Sequence, residues 1–158
     1  MGLLFFMITI AMSTFHLSGA QYAAYDYVNP HNDARYNVNV TFLAWDEDLE
    51  SYAQGYARAL SPVDCDLIYD GGSYGVNLAK AYPDLDAAGA VKMWVDQKAN
   101  YDYDSNTCVD GGEECRRYTQ VVWGSSTRLG CARARCINGW RLIACLYYPA
   151  GNDQERPY

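Results

Sequence analysis

Apolar positions in the first two thirds of the chain recur with helical spacing. Leu49, Tyr52, Ala53, Tyr56, Ala57 and Leu60 follow i, i+3, i+4, i+7, i+8, i+11, which draws one stripe along a helix. Asp46 stands where a cap is needed, and Glu47, Asp48 and Glu50 suit the positive end of that helix. A further helix is predicted from Asp84 or Asp86, with Ala87, Ala90, Val91, Trp94 and Val95 as its stripe. Asn29-Pro30 reads as a cap followed by proline at the first helical position, opening a helix through about Tyr36. The last third changes period. Gln120 to Trp123 is a short β-rich run, and Arg128–Arg135 and Trp140–Tyr148 flank Asn138-Gly139. That dipeptide predicts a type I′ turn, in which both central residues take positive φ. Helices first and an antiparallel meander last predict an α+β domain with helices covering a sheet.

The amino terminus has a different character. Leu3 to Ala11 is almost purely apolar, too short to span a bilayer, and Ser18-Gly19-Ala20 supplies small residues ahead of Gln21. Residues 1–20 are therefore expected to be a signal peptide and residues 21–158 a single domain, with no transmembrane segment. All six cysteines (Cys65, Cys108, Cys115, Cys131, Cys136 and Cys145) lie in that second part. An even number in a secreted chain predicts three disulfides, and spacing alone does not choose their pairing. Zinc is a poor alternative, because there is no C-x-x-C pair and, outside the signal peptide, His31 is the one imidazole. Twelve Lys and Arg against 19 Asp and Glu give a net charge of −7, which excludes a general nucleic-acid binder. Half the residues are hydrophobic, which excludes disorder, and Tyr is over-used at 15 residues.

Several runs together resemble one family. They are Tyr27-Val28-Asn29-Pro30-His31-Asn32, Ala90-Val91-Lys92-Met93-Trp94-Val95, Tyr118-Thr119-Gln120-Val121-Val122-Trp123, Arg128-Leu129-Gly130-Cys131-Ala132-Arg133, Asn138-Gly139-Trp140 and Arg156-Pro157-Tyr158. The chain resembles the plant pathogenesis-related protein 1 family of the CAP superfamily. The resemblance covers essentially all of residues 21–158. It implies a three-layer α-β-α sandwich around a central antiparallel sheet. It also implies the pairing Cys65–Cys136, Cys108–Cys115 and Cys131–Cys145. The family's cleft usually carries two His and two Glu. The matching positions here are Tyr69, Val76, Gln97 and Arg117, so all four depart. With one imidazole left and a fixed positive charge at Arg117, no metal and no other cofactor are expected. Val76 and Tyr69 make the cleft more apolar and Arg117 makes it basic, a combination suited to an amphipathic anion such as a fatty acid.

No catalytic residue is assigned. His31 beside a Ser is a weak case for a hydrolase, because a helix-start His usually serves structure. The cleft's usual carboxylates are Val76 and Gln97, so paired general acid–base chemistry fails too. Asp102, Asp104, Asn106, Asp110 and Glu113 stand at EF-hand ligand positions, but Thr107 occupies the place of the turn glycine, and a solvated acidic loop is expected. Arg116, Arg117, Arg133 and Arg135 form a local basic cluster in the sequence. Salt bridges are the expectation for Arg133 and Arg135, while Arg117 fits either a nearby acid or a bound anion. Tyr101 and Tyr103 fall where the resemblance implies a sterol- or lipid-contacting loop in some relatives. Asn39-Val40-Thr41 is a glycosylation sequon in an expected exposed turn. The tail 149–158 resembles a segment released as a signalling peptide from some plant relatives, although Leu146 replaces the expected Asn ahead of it; the alternative is a tail docked on the sheet by Tyr158. The expectation is a secreted, monomeric, apoplastic defence protein. It acts by binding, with a sterol or lipid as ligand and a pathogen membrane or effector as further possible targets. The alternatives are a peptide precursor and, well behind, a hydrolase.

Overall fold

The predicted stripe at 49–60 forms as expected and covers one face of a sheet. In the computed structural model, which describes residues 22–61, 65–68, 72–153 and 155–158, helix α2 (Glu47–Leu60) starts at Asp46, whose carboxylate accepts from the Leu49 amide at 2.9 Å. Leu49, Ala53, Ala57 and Leu60 are buried; Tyr52, counted in the stripe, is 59% exposed. The expected signal peptide at 1–20 and the cleft position Tyr69 lie outside the described residues. Among the described residues, no helix is long and apolar enough to cross a membrane.

Helix α3 (Ala87–Val95) is capped by Asp86 and buries Ala87, Ala90, Val91 and Trp94. Helix α1 (Ala24–Tyr36) differs from its prediction at the start. It begins before Asn29, with Ala23 as its cap residue, whose amide donates to Asp26 at 2.9 Å. Pro30 therefore lies inside the helix rather than at its first position. The physical reason is burial: the earlier turn carries Tyr27 into the core one turn ahead of His31, and that offsets the backbone bond proline cannot make.

The central sheet has the order β1-β5-β6-β2, formed by β1 (Ala44–Trp45), β5 (Arg128–Arg135), β6 (Arg141–Tyr148) and β2 (Gly75–Ala81). Its long pairings are antiparallel, as expected, while the short β1 runs parallel to β5. A second, two-stranded hairpin joins β3 (Tyr101–Asp102) and β4 (Thr107–Cys108). Strand β6 alternates perfectly between two apolar layers. Ile143, Cys145 and Tyr147 face α1, α3 and the later helix α4 (Arg116–Val121), and Leu142, Ala144 and Leu146 face α2. This is the expected α-β-α sandwich.

Two local readings are corrected. Gln120-Val121, read as part of a β-rich run, belongs to α4, which ends before Val122 and Trp123. Burial of Tyr118, Thr119, Gln120 and Val121 against α3 and the sheet overrides the strand preference of β-branched residues. The turn at Asn138-Gly139 is not type I′, because Gly139 takes φ 91° while Asn138 does not take positive φ. The Gly139 amide donates to Cys136 and the Cys136 amide to Trp140, so the connection is a three-residue loop with one left-handed glycine. The three disulfides are Cys65–Cys136, Cys108–Cys115 and Cys131–Cys145, the pairing implied by the resemblance. The last ties β5 to β6 at directly opposed positions.

Candidate functional site

The cleft is built where β2 passes the start of α4. Strand β2 is buried on both faces, so the polar Asn77 within Val76-Asn77-Leu78-Ala79 needs internal partners. Its amide nitrogen donates to the Arg117 carbonyl at 2.9 Å and to the Tyr147 hydroxyl at 3.2 Å. Gln97 lies in the short 3-10 turn Asp96–Asn100 that follows α3, and its side-chain oxygen accepts from the Arg117 amide at 3.3 Å. The structure thus brings two of the four predicted positions together, Gln97 and Arg117, with the Arg117 backbone held from both sides, while the Val76 side chain packs against the layer under α2. A cavity of about 610 Å³ opens here, lined by Tyr74, Val76, Glu114, Arg116, Arg117 and Gln120 among others. Its walls carry Glu113 and Glu114 as well as Arg116 and Arg117, so the charge around Arg117 is mixed rather than basic.

Beneath the cleft runs a buried polar chain that sequence reasoning missed. His31 is wholly buried in the middle of α1, not in its first turn. Its Nδ1 lies 2.7 Å from the Tyr27 carbonyl, an acceptor, so Nδ1 carries the proton. Nε2 is then the acceptor for the Tyr147 hydroxyl at 2.7 Å, and Tyr147 in turn accepts from Asn77. The His31 Nδ1–H, the Tyr147 hydroxyl and the Asn77 amide each meet an acceptor. Burial lowers the His31 pKa to about 4; the Tyr27 carbonyl acts against that shift and Arg35 adds to it. The signal available in the sequence was a lone Asn inside the apolar run Val76-Asn77-Leu78-Ala79.

Arg35 is also wholly buried, and its guanidinium donates to four carbonyls: Thr41 at 2.7 Å, Val121 and Trp123 at 2.9 Å, and Ser126 at 2.8 Å. Burial lowers its pKa to about 10. These bonds satisfy the carbonyl end of α4 and fix the turn that leads into β5. Gln120 continues the scaffold, donating to Ser126 and accepting from the Gly151 amide at 2.9 Å. A Cβ on Gly75 would collide with the Gln120 amide, so β2 passes this point as glycine.

The remaining candidates sort by element. Arg116 and Arg117 sit on α4, whereas Arg133 and Arg135 sit on β5. Arg116 pairs with Glu113 at 3.0 Å; Arg133 pairs with Asp84 and lies over the Tyr22 ring. The acidic stretch is a hairpin, since Thr107 pairs with Asp102 and the Asp102 carboxylate accepts from the amides of Asp104 and Ser105. The Asp110 side chain lies outside what is described. Asn39 sits exposed in a turn with φ 59°, matching the expected setting of the sequon.

Tyr101 and Tyr103 come together with ring centroids 6.4 Å apart, and the carboxyl-terminal tail covers them. Tyr158 stacks on Tyr103 at 5.0 Å, its carbonyl accepts from the Tyr103 hydroxyl at 2.8 Å, and its hydroxyl meets Tyr118 at 3.1 Å. Arg156 lies over the Tyr103 ring and donates to the carbonyls of Tyr103 and Asp104. Pro157 is buried and accepts from the Gly124 amide at 2.7 Å. The tail is docked, as one sequence alternative had it, but on the β3–β4 hairpin and the end of α4 rather than on the sheet.

A disulfide-braced α-β-α sandwich with this cleft at the β2–α4 junction defines a recognisable class. Residues 28–148 match the family described as Cysteine-rich secretory protein family, CAP. The chain is 55% identical over 144 residues to the basic form of pathogenesis-related protein 1 of Nicotiana tabacum, covering 90% of this chain and 80% of that protein. It is 50% identical over 140 residues to pathogenesis-related protein 1 of Arabidopsis thaliana, covering 88% and 84%. The structure of Schistosoma mansoni venom allergen-like protein 4 superposes with a TM-score of 0.66 at 30% identity, covering 84% of this chain and 90% of that one. NaASP2, crystallised with Zn²⁺, superposes with a TM-score of 0.68 at 22% identity, covering 84% and 83%, a likeness of fold alone. The chain belongs to the CAP family, in its plant pathogenesis-related protein 1 branch. It is a defence protein of that type.

Proposed function

We propose that this protein is secreted to the apoplast and acts there by binding a sterol or lipid, without catalysis. Two sets of residues support the reading. The first is the tyrosine hairpin, and it carries the proposal. The Tyr101 hydroxyl donates to Asn106 and the Tyr103 hydroxyl to Tyr158, both at 2.8 Å. Both hydroxyls have partners within the protein, and Tyr103, though Tyr158 and Arg156 lie against its ring, stays 43% exposed, so the hairpin and the tail together present a partly aromatic surface. Such a surface suits an apolar ligand with a polar end. The second is the cleft chemistry. Val76, Gln97 and Arg117 supply neither a carboxylate nor an imidazole. Both nitrogens of His31 are occupied in the core, and its low pKa leaves it neutral there at ordinary pH. Glu113 and Glu114 also line the cavity, but Glu113 pairs with Arg116, and among the described residues no imidazole or free thiol stands beside them to complete a catalytic pair. Release of residues 149–158 as a peptide would have to break the contacts of Arg156, Pro157 and Tyr158, so the tail is better read as part of the hairpin surface.

The test is sterol binding by delipidated protein spanning residues 21–158, beside Tyr103→Ala. Saturable binding weakened about tenfold by the substitution is expected, the loss of one aromatic contact face. No saturable binding by protein whose circular dichroism shows the fold intact would overturn the proposal.

A further inference from the structure

A second cavity, of about 660 Å³, lies at the amino-terminal end of α2. Its walls hold three tyrosines from three elements. Tyr52 comes from α2, Tyr74 from the approach to β2, and Tyr148 from the end of β6. Asp46, Asp48 and Arg128 complete the lining used here. Tyr52 belongs by spacing to the buried stripe of α2, yet it is 59% exposed, and Tyr148 is 39% exposed. Large aromatic surface left in water at a concave site asks for a ligand.

The geometry limits what that ligand can be. The ring centroids of Tyr52 and Tyr74 are 5.5 Å apart, and those of Tyr74 and Tyr148 are 6.1 Å apart. The planes of Tyr52 and Tyr74 are tilted by 41° and those of Tyr74 and Tyr148 by 67°, so the rings touch along a stepped aromatic wall and do not form a cage that could surround a cation. The Arg128 guanidinium, 4.6 Å from the Tyr148 ring centroid, already holds the cation position there. The same Arg128 pairs with Asp46 at 2.9 Å, while the other Asp46 oxygen caps α2. With Arg128 neutralised by Asp46, Asp48 leaves a negative balance among these groups, which disfavours an anionic ligand. Carboxylates and a guanidinium at the rim disfavour a lipid tail. Asp48 stands one helical turn before Tyr52, on the same side of α2. A carboxylate beside an exposed ring suits a ligand with an apolar C–H face and hydroxyls around its edge.

We propose that this groove binds a neutral oligosaccharide. One pyranose face stacks on the exposed ring of Tyr52, with the tilted ring of Tyr74 against its edge, and its hydroxyls donate to the Asp48 carboxylate. Asp46 and Arg128 form a pre-arranged polar wall at one end. Tyrosine suits this role because its ring is broad, rigid and amphipathic. The site shares no residue with the hairpin of Tyr101 and Tyr103, so it stands or falls apart from lipid capture.

The test is calorimetric titration of the secreted protein with laminarihexaose and cellohexaose, two neutral glucose hexamers of different linkage. Saturable binding to at least one is expected. Tyr52→Ala should weaken it about tenfold, the scale of one lost stacking contact. Asp48→Asn should weaken it by a smaller factor, and Tyr52→Phe, which keeps the ring, should retain it. Tyr103→Ala should leave it unchanged. Tyr52 is exposed, so its replacement leaves the core intact, and circular dichroism checks this. No saturation by either hexamer, binding indifferent to Tyr52→Ala, or preference for a sulfated hexasaccharide would each overturn the proposal.

Discussion

The two faces of the central sheet solve the same packing problem in different ways. Under α2 the layer is aliphatic, with Leu49, Ala53, Ala57, Leu60, Leu78, Leu142, Ala144 and Leu146. Under α1, α3 and α4 the apolar layer is interrupted by His31, Arg35, Asn77, Gln120 and Ser126, all buried. Every buried polar residue among those described sits on this second side. An aliphatic layer is held by area and shape and tolerates reshuffling at constant volume. A polar layer holds one arrangement, because each group left unpaired costs the full loss of its water. The cleft lies on the polar side, where the Arg117 backbone is fixed by Asn77 and Gln97. The α2 side instead leaves its specific features at the rim, in Asp46, Tyr52 and Arg128.

The contrast can be broken most sharply at Arg35. Arg35→Met leaves the carbonyls of Thr41, Val121, Trp123 and Ser126 without their donor and should cost about 4 kcal/mol, read from urea denaturation. Next comes pH. His31 has a folded pKa of about 4 against an ordinary 6.5, so the unfolded chain binds the proton more readily. Its contribution is therefore complete above pH 6.5 and is lost as pH falls from 6.5 towards 4, by roughly 3 kcal/mol in all. Denaturation midpoints across that window should fall with pH, and His31→Gln should flatten the slope. The smallest effect belongs to Tyr147→Phe. It removes the hydroxyl between His31 and Asn77 and should cost about 1 kcal/mol. An amide chemical-shift change at Arg117 in this variant would show that the core relay reaches the cleft.

Much of the scaffold was readable from local pattern. Asp46 and the stripe behind it located α2, Asp86 located α3, and the two runs around Asn138-Gly139 located β5 and β6. The misreadings share a cause. Pro30 looked like a helix start because local preference cannot see Tyr27 entering the core one turn earlier. Val121 and Val122 looked like strand because β-branched residues are weighed without their neighbours. Tyr52 looked buried because spacing places a residue on a face without saying how far that face extends under the sheet. The cleft positions were legible through the resemblance, but their mutual contacts were not, since Gln97 and Arg117 meet only after α3 and α4 pack. The groove beside α2 draws on residues 46–52, 74, 128 and 148, and no window of sequence holds them together.

The docked tail has an optical consequence. Trp123 is nearly buried, and the Gly151 backbone passes so close to its indole that a Cβ there would strike the ring. The next residue, Gly124, holds Pro157 by its amide. Trp94, by contrast, is enclosed by α3 and the sheet, its indole N–H donating to Leu78 at 3.0 Å. Lifting the tail would hydrate Trp123 and leave the surroundings of Trp45, Trp94 and Trp140 as they are, so a red shift in the emission of the unlabelled protein reports the loss of its last residues from their place.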